Sequence, residues 1–186
     1  MAITTRYLLE IPRPKMGQSD AHAHGQLSQR HLDWLSRLPA SLVYRDEVYL
    51  CHATPAADDV YWLEEVLPDG HVHLKPLADI EAMAQGIPQP LILCGHSHLP
   101  RLVQLSDGRL IVNPGSVGCP AYEDDQPVFH KIETGHPMAS YAILEKADRG
   151  WSVQFRNVPY NHMAMSRLAA SRSRLDWALT LASGRI

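Results

Sequence analysis

The stretch from Leu91 to Gly118, LILCGHSHLPRLVQLSDGRLIVNPGSVG, constrains the fold more than any other part of the chain. Leu91-Ile92-Leu93-Cys94 is a short apolar run of the kind that fills a buried strand, and it breaks at Gly95 into His96-Ser97-His98. After Pro100 the apolar pattern resumes as Leu102-Val103-Gln104-Leu105, turns at Ser106-Asp107-Gly108, and returns as Leu110-Ile111-Val112 before the loop Asn113-Pro114-Gly115-Ser116. Two apolar runs around a glycine-containing turn predict a hairpin. The His96-His98 loop and the Asn113 loop then fall at the same end of that hairpin. A sheet that delivers two polar loops to one end builds a site there.

The flanking segments predict an alternation of strands and helices. Tyr7-Leu8-Leu9 is a short apolar segment, followed through Pro12 and Pro14 by SDAHAHG, a polar loop. From Ser28, a candidate N-cap, Leu32, Trp34, Leu35 and Leu38 recur at helical spacing until Pro39. Leu42-Val43-Tyr44 and Val48-Tyr49-Leu50-Cys51 are strand-like and joined by Arg45-Asp46-Glu47, and the second ends at His52. Residues 58–70 suggest a short helix dipping Tyr61, Trp62 and Leu63 inward, with Asp58, Asp59, Glu64 and Glu65 on a solvated face. A helix follows Pro76, with Gly86 past its end. Residues 119–137, rich in Pro, Asp and His, predict a long surface loop. Ser140 to Lys146 and Trp151 to Val158 predict two more strands around Ala147-Asp148-Arg149-Gly150. Met163 to Ala182 is helical in composition with an interruption at Ser171-Arg172-Ser173-Arg174, and Met163, Met165, Trp177 and Leu179 take core-facing positions.

With 186 residues, 45% of them hydrophobic and 20% charged, the chain suits one globular domain, 1–186, closing in a C-terminal helical segment at 159–186. A net charge of -3 gives no general attraction to nucleic acid or an anionic membrane. No apolar run approaches a membrane span and the opening residues lack the order of a signal peptide, so a cytoplasmic location is expected. Cys51, Cys94 and Cys119 lack CxxC spacing and are expected as reduced, buried thiols. Position must decide which of the eleven histidines carry chemistry. His52, His96 and His98 each follow an apolar strand. Neutral imidazole suits zinc, manganese, iron or nickel, and strand ends hold ligands rigidly. The same spacing also fits structural histidines.

Gly95-His96-Ser97-His98-Leu99-Pro100-Arg101, followed by Asn113-Pro114-Gly115-Ser116-Val117-Gly118, resembles the calcineurin-like metallophosphoesterase superfamily in its small bacterial phosphodiesterase branch. The likeness runs from about Ser28 to Val158. It implies a layered α/β/β/α sandwich of two mixed sheets, and hydrolysis of a phosphoester by a metal-activated hydroxide. By position His52 and His96 would hold one divalent ion and His98 a second, with Asn113 orienting a ligand from behind. Such a site takes a small phosphoester substrate, with no membrane or specific nucleic-acid partner. Nothing distinguishes Mn, Zn, Fe and Ni, and oligomeric state stays open, a homo-oligomer included.

The chain also departs from that pattern. The family's Asp-x-His, Gly-Asp and Gly-Asn-His-Asp motifs do not stand in it. The opening Ala2-Ile3-Thr4-Thr5 looks like the continuation just after the last of these, with Ile3 where the ligand Asn would fall. The fold is then expected with its N-terminal portion missing. Neutral imidazoles do not offset the repulsion between two divalent ions as a bridging carboxylate does, so a dinuclear centre is expected only where further ligands are supplied. Two functions remain: a metal-dependent phosphoesterase, impaired as this chain and with no catalytic residue assigned on it, or a non-catalytic binding module keeping the scaffold and part of the metal site. Asp20-Ala21-His22 superficially resembles Asp-x-His, Cys51 is a conceivable nucleophile, and Arg101 fits either a phosphate contact or a surface ion pair.

Overall fold

A computed structural model describes residues 16–186. The apolar Tyr7-Leu8-Leu9 and the family-like opening around Ile3 lie outside the described residues. The centre is a mixed five-stranded sheet built from β1 (Ser41–Tyr44), β2 (Val48–Cys51), β5 (Leu91–Leu93), β6 (Arg101–Gln104) and β7 (Leu110–Asn113), in the order β1-β2-β5-β7-β6. β2, β5 and β7 run parallel, while β1 and β6 are antiparallel to their neighbours at the two edges. Arg45 and Asp46, at φ 51 and 55, close the β1–β2 hairpin. Positive φ at both central positions matches the turn twist to that of the strands.

The central strands are apolar on both faces because both faces are covered. Ile92, Cys94 and Ile111 point to one side, where they pack with Trp62, Leu63, and Ile80 of α3 (Leu77–Met83). Trp62 is fixed there by donating Nε1–H to Ile80 O at 3.1 Å. Leu91 and Val112 point to the other side, against Ala142 and Leu144 of β10 (Ala139–Ala147) and Trp151 and Val153 of β11 (Gly150–Val158). Each fully buried Leu or Ile contributes about 2 kcal/mol of transfer free energy, which makes this three-layer stack the stabilising centre of the domain.

Several local expectations hold. Ser28 precedes α2 (Gln29–Leu35), and its amide donates to His31 Nδ1 at 3.2 Å. The C-terminal segment forms two helices, α4 (His162–Ser171), capped by Asn161 Oδ1, and α5 (Leu175–Ser183).

Other expectations are corrected. SDAHAHG lies within helix α1 (Gln18–Gln26) rather than in a polar loop. His22 Nε2 meets Arg172 at 2.7 Å and Ser19 Oγ meets Arg174 at 2.5 Å, which ties that helix to the α4–α5 turn. Residues 58–63 are not helical, and Glu64 begins strand β3 (Glu64–Val66), paired with β4 (Val72–Leu74). The inward orientation of Tyr61, Trp62 and Leu63 stands, delivered by extended chain. The expected long loop at 119–137 is in part a hairpin, β8 (Ala121–Asp124) with β9 (His130–Glu133), and it buries Ala121, His130 and Ile132. Met163, Met165 and Leu179 are exposed; Ser166, Thr180 and Leu181 face inward instead.

Candidate metal centre

Register sets the site. The ladder Leu50↔Leu93↔Val112 brings the carboxyl ends of the three parallel strands to one level. Beyond that level lie His52, the Gly95–His98 loop and the Asn113 loop. Cys94 N donates to Val112 O at 3.0 Å and Gly95 N to His52 O at 2.8 Å, so the loops remain stitched past the end of the sheet. Ligands of open α/β sheets bind at such carboxyl ends.

The Gly95–His98 loop is held in an uncommon conformation. His96 and His98 adopt φ 68 and 61, a left-handed backbone that non-glycine residues seldom take. Asn113, 1% exposed, keeps the loop there by donating Nδ2–H to Gly95 O at 2.8 Å and to Ser97 Oγ at 3.0 Å. Its Oδ1 accepts from Gly115 N at 3.0 Å, which links both loops through one amide. Asn113 thus acts on the loop backbone that carries the imidazoles, with no hydrogen bond to a ring. Burial holds the Glu64 carboxyl above its usual range, opposed by Ser97 and Arg101. Arg101 donates Nε–H to Glu64 Oε1 at 2.6 Å, with the Glu64 side chain 1% exposed. Glu64 therefore differs from expectation, a buried carboxylate under the loop, while of the two readings open for Arg101 the ion pair is the one formed, with a buried partner.

The three histidines arrive in different circumstances. His52 and His96 lie ring to ring, centroids 5.2 Å apart at 69°. His52 Nε2 and His96 Nδ1 are both buried without a hydrogen-bond partner. A buried ring nitrogen left unpaired costs about 1–3 kcal/mol, which is where a missing ligand is to be sought. His98 has its Nδ1 spent on Cys119 O at 3.1 Å. That bond fixes the tautomer and leaves Nε2 as the lone-pair nitrogen. All three rings are held below the usual imidazole range, chiefly by burial, and His98 is lowered to about 4. They are neutral at pH 7, the form that coordinates metals.

The donor set fits a metal only in part. Asp58 favours the protonated His52 ring through charge; the protonated His96 ring is favoured by a hydrogen bond to the Asp59 backbone and, more weakly, by the charge of Asp124. Among the described residues no three His, Cys, Asp or Glu side chains converge into a group able to hold a metal ion. His52 and His96 bring two unpartnered ring nitrogens to one place, and the described residues do not provide for a bridged two-metal centre. The Cys51 thiol is pushed up to about 12 by burial and by Asp58, which makes it a poor nucleophile. All three cysteines are unpaired.

The rest of the wall is aromatic. Tyr61 lies 5.1 Å from His96, and Tyr122 lies 5.3 Å from His98, edge to face. The sequence marks Tyr61 as inward-facing but neither tyrosine as a site residue, since VYWLEE and AYEDD carry no motif. On its other side His52 borders a cavity of about 330 Å³ walled by Leu50, Leu93, Val112, Ala142 and Leu144.

This architecture is shared with solved structures. A metallophosphoesterase from Sphaerobacter thermophilus superposes with a TM-score of 0.64 at 21% identity, over 94% of this chain and 70% of its own. The hypothetical protein PH1004 from Pyrococcus horikoshii OT3 superposes with a TM-score of 0.65 at 18% identity, over 98% of this chain and 66% of its own. The chain therefore has a metallophosphoesterase-type α/β fold and spans about two thirds of the length of these neighbours. At such identities the likeness defines the fold. No family model matches the chain, and no curated protein matches it. No helix among the described residues is long and apolar enough to cross a membrane.

Proposed function

We propose that this chain carries the histidine side of a metal-dependent phosphoesterase site. His52 and His96 hold a divalent cation at the ends of β2 and β5, and His98 offers Nε2 beside them. The observation that carries this reading is the pair of buried, unpartnered nitrogens, His52 Nε2 and His96 Nδ1, on touching rings. The fold likeness to a metallophosphoesterase supports the reaction class. When bound, such a cation lowers the pKa of a water and neutralises charge on a phosphoryl oxygen. The chain's own contribution is positional. Asn113 fixes the loop, the Cys119 carbonyl fixes the His98 tautomer, and Glu64, at the start of β3, holds Arg101 at the start of β6. The substrate is a small phosphoester, and manganese, zinc, iron and nickel all suit the imidazoles.

A second reading, a binding module without turnover, is favoured by the lack of a carboxylate joined to the histidines among the described residues. One experiment tests both. Metal-stripped protein is loaded with manganese or zinc, dialysed, and its metal content measured beside His52→Ala and His96→Ala, with hydrolysis of bis-p-nitrophenyl phosphate assayed in parallel. The expected result is one ion per chain, lost in both variants. Metal content no higher in the unmodified chain than in the variants would overturn the metal site. Bound metal with hydrolysis lost in His96→Ala supports the esterase, and bound metal without turnover supports the binding module.

A further inference from the structure

Behind the histidines lies a hydrogen-bonded chain that spans three separate parts of the fold. Tyr122, on β8, and Tyr61, in the extended segment before β3, meet hydroxyl to hydroxyl at 2.8 Å. Tyr61 Oη also lies 3.0 Å from His130 Nε2 on β9. His130, 2% exposed, has Nδ1 at 2.8 Å from Val128 O. A carbonyl only accepts, so Nδ1 carries the proton, Nε2 accepts from Tyr61, and Tyr61 accepts from Tyr122. Donors and acceptors thus match along the chain, and its far end is anchored on backbone.

Each tyrosine ring in the chain rests on a different histidine of the site, Tyr61 on His96 and Tyr122 on His98. The one Tyr122 hydroxyl proton, directed chiefly at Tyr61 Oη, is shared with His96 O at 3.4 Å, at the backbone of the left-handed loop. We infer that Tyr61 and Tyr122 are positioning residues, joined through their hydroxyls and anchored by His130, that set the ring planes of His96 and His98 for a metal ion. This rests on the metal-binding reading above. The buried Tyr61 ring and the half-buried Tyr122 ring restrict rotation of the imidazoles from the side, as the Cys119 carbonyl restricts His98 end-on. Hydrogen-bonded partners behind metal ligands typically govern affinity by 10- to 100-fold. Because the two tyrosines share one bond, losing either hydroxyl disconnects the same unit.

The test uses cobalt(II) alone as probe, with the full chain, its visible absorption read together with a calorimetric Kd. Unmodified protein is compared with Tyr61→Phe, Tyr122→Phe, the double variant and His130→Phe, each checked for folding by circular dichroism. The expected result is a loss of about 10-fold in cobalt affinity and a changed cobalt spectrum in each single variant. The double variant should lose no more than the larger single. Unchanged Kd and spectrum in folded Tyr61→Phe and Tyr122→Phe would overturn the inference and leave the metal site standing, even where thermal stability falls. Independent, multiplying losses would overturn the shared unit. No cobalt binding by unmodified protein would overturn the metal site and this inference together.

Discussion

Replacing Asn113 by Ala removes the one side chain that ties both site loops together, and its cost follows from the structure. Three hydrogen bonds are lost, to Gly95 O, Ser97 Oγ and Gly115 N, from a group 1% exposed. At about 1 kcal/mol each the variant is destabilised by about 3 kcal/mol. With a urea slope of about 2 kcal/mol per molar, the unfolding midpoint falls by about 1.5 M. Trp62, buried in the core, makes tryptophan fluorescence a suitable probe, and the titration is run in chelator so that metal does not contribute. Gln29→Ala serves as control, since its bond to Asp33 Oδ1 at 2.8 Å is exposed, and it should cost no more than about 0.5 kcal/mol. A midpoint shift below about 0.5 M for Asn113→Ala, at unchanged slope, would refute the claim that this amide holds His96 and His98 in their left-handed conformation.

Arg101→Ala leaves the Glu64 carboxylate buried without its ion-pair partner and should cost about 3 kcal/mol by urea unfolding, part of which Glu64→Gln restores in the double variant. Gly115→Ala places a Cβ 2.8 Å from Pro100 Cγ and 2.9 Å from Ser140 Cβ at φ +86; a loss of about 2 kcal/mol, or about 6 °C in Tm, is expected by scanning calorimetry. The metal-free protein should lose stability as pH falls from about 6.5 to about 4. In that window unfolded imidazoles bind protons that the half-buried His52 and His96 and the buried His98 bind less readily, so the unfolded state gains. His98 alone accounts for about 3 kcal/mol, and His98→Gln should flatten the urea midpoint against pH.

The parts of the site that were legible in the sequence are those written in adjacent residues. Gly95 and Gly115 mark sharp loops after apolar runs, and Cys51-His52 marks a strand end, so β2, β5 and β7 and the shared end of the His96 and Asn113 loops follow from local pattern and turn chemistry, whereas bringing His52 to that end rested on the family resemblance. The charged run at 58–65 and the Pro- and Asp-rich run at 119–137 misled because composition describes average exposure. Glu64 is buried only because Arg101, 37 positions away, and Ser97 come to it. Tyr61 meets Tyr122 across 61 positions and His130 across 69, pairings that no local period encodes.

By itself, then, the sequence determined the alternation of strands and loops, the strand ends that bear imidazoles, and the scarcity of motif carboxylates. Only the tertiary structure decided that His52 and His96 touch while His98 turns to the Cys119 carbonyl, and that a tyrosine chain closes the wall behind them. The physical reason is that strand periodicity and turn propensity act over a few residues. Burial of a carboxylate, pairing of two hydroxyls or orphaning of a ring nitrogen depends on which distant segments the core brings together.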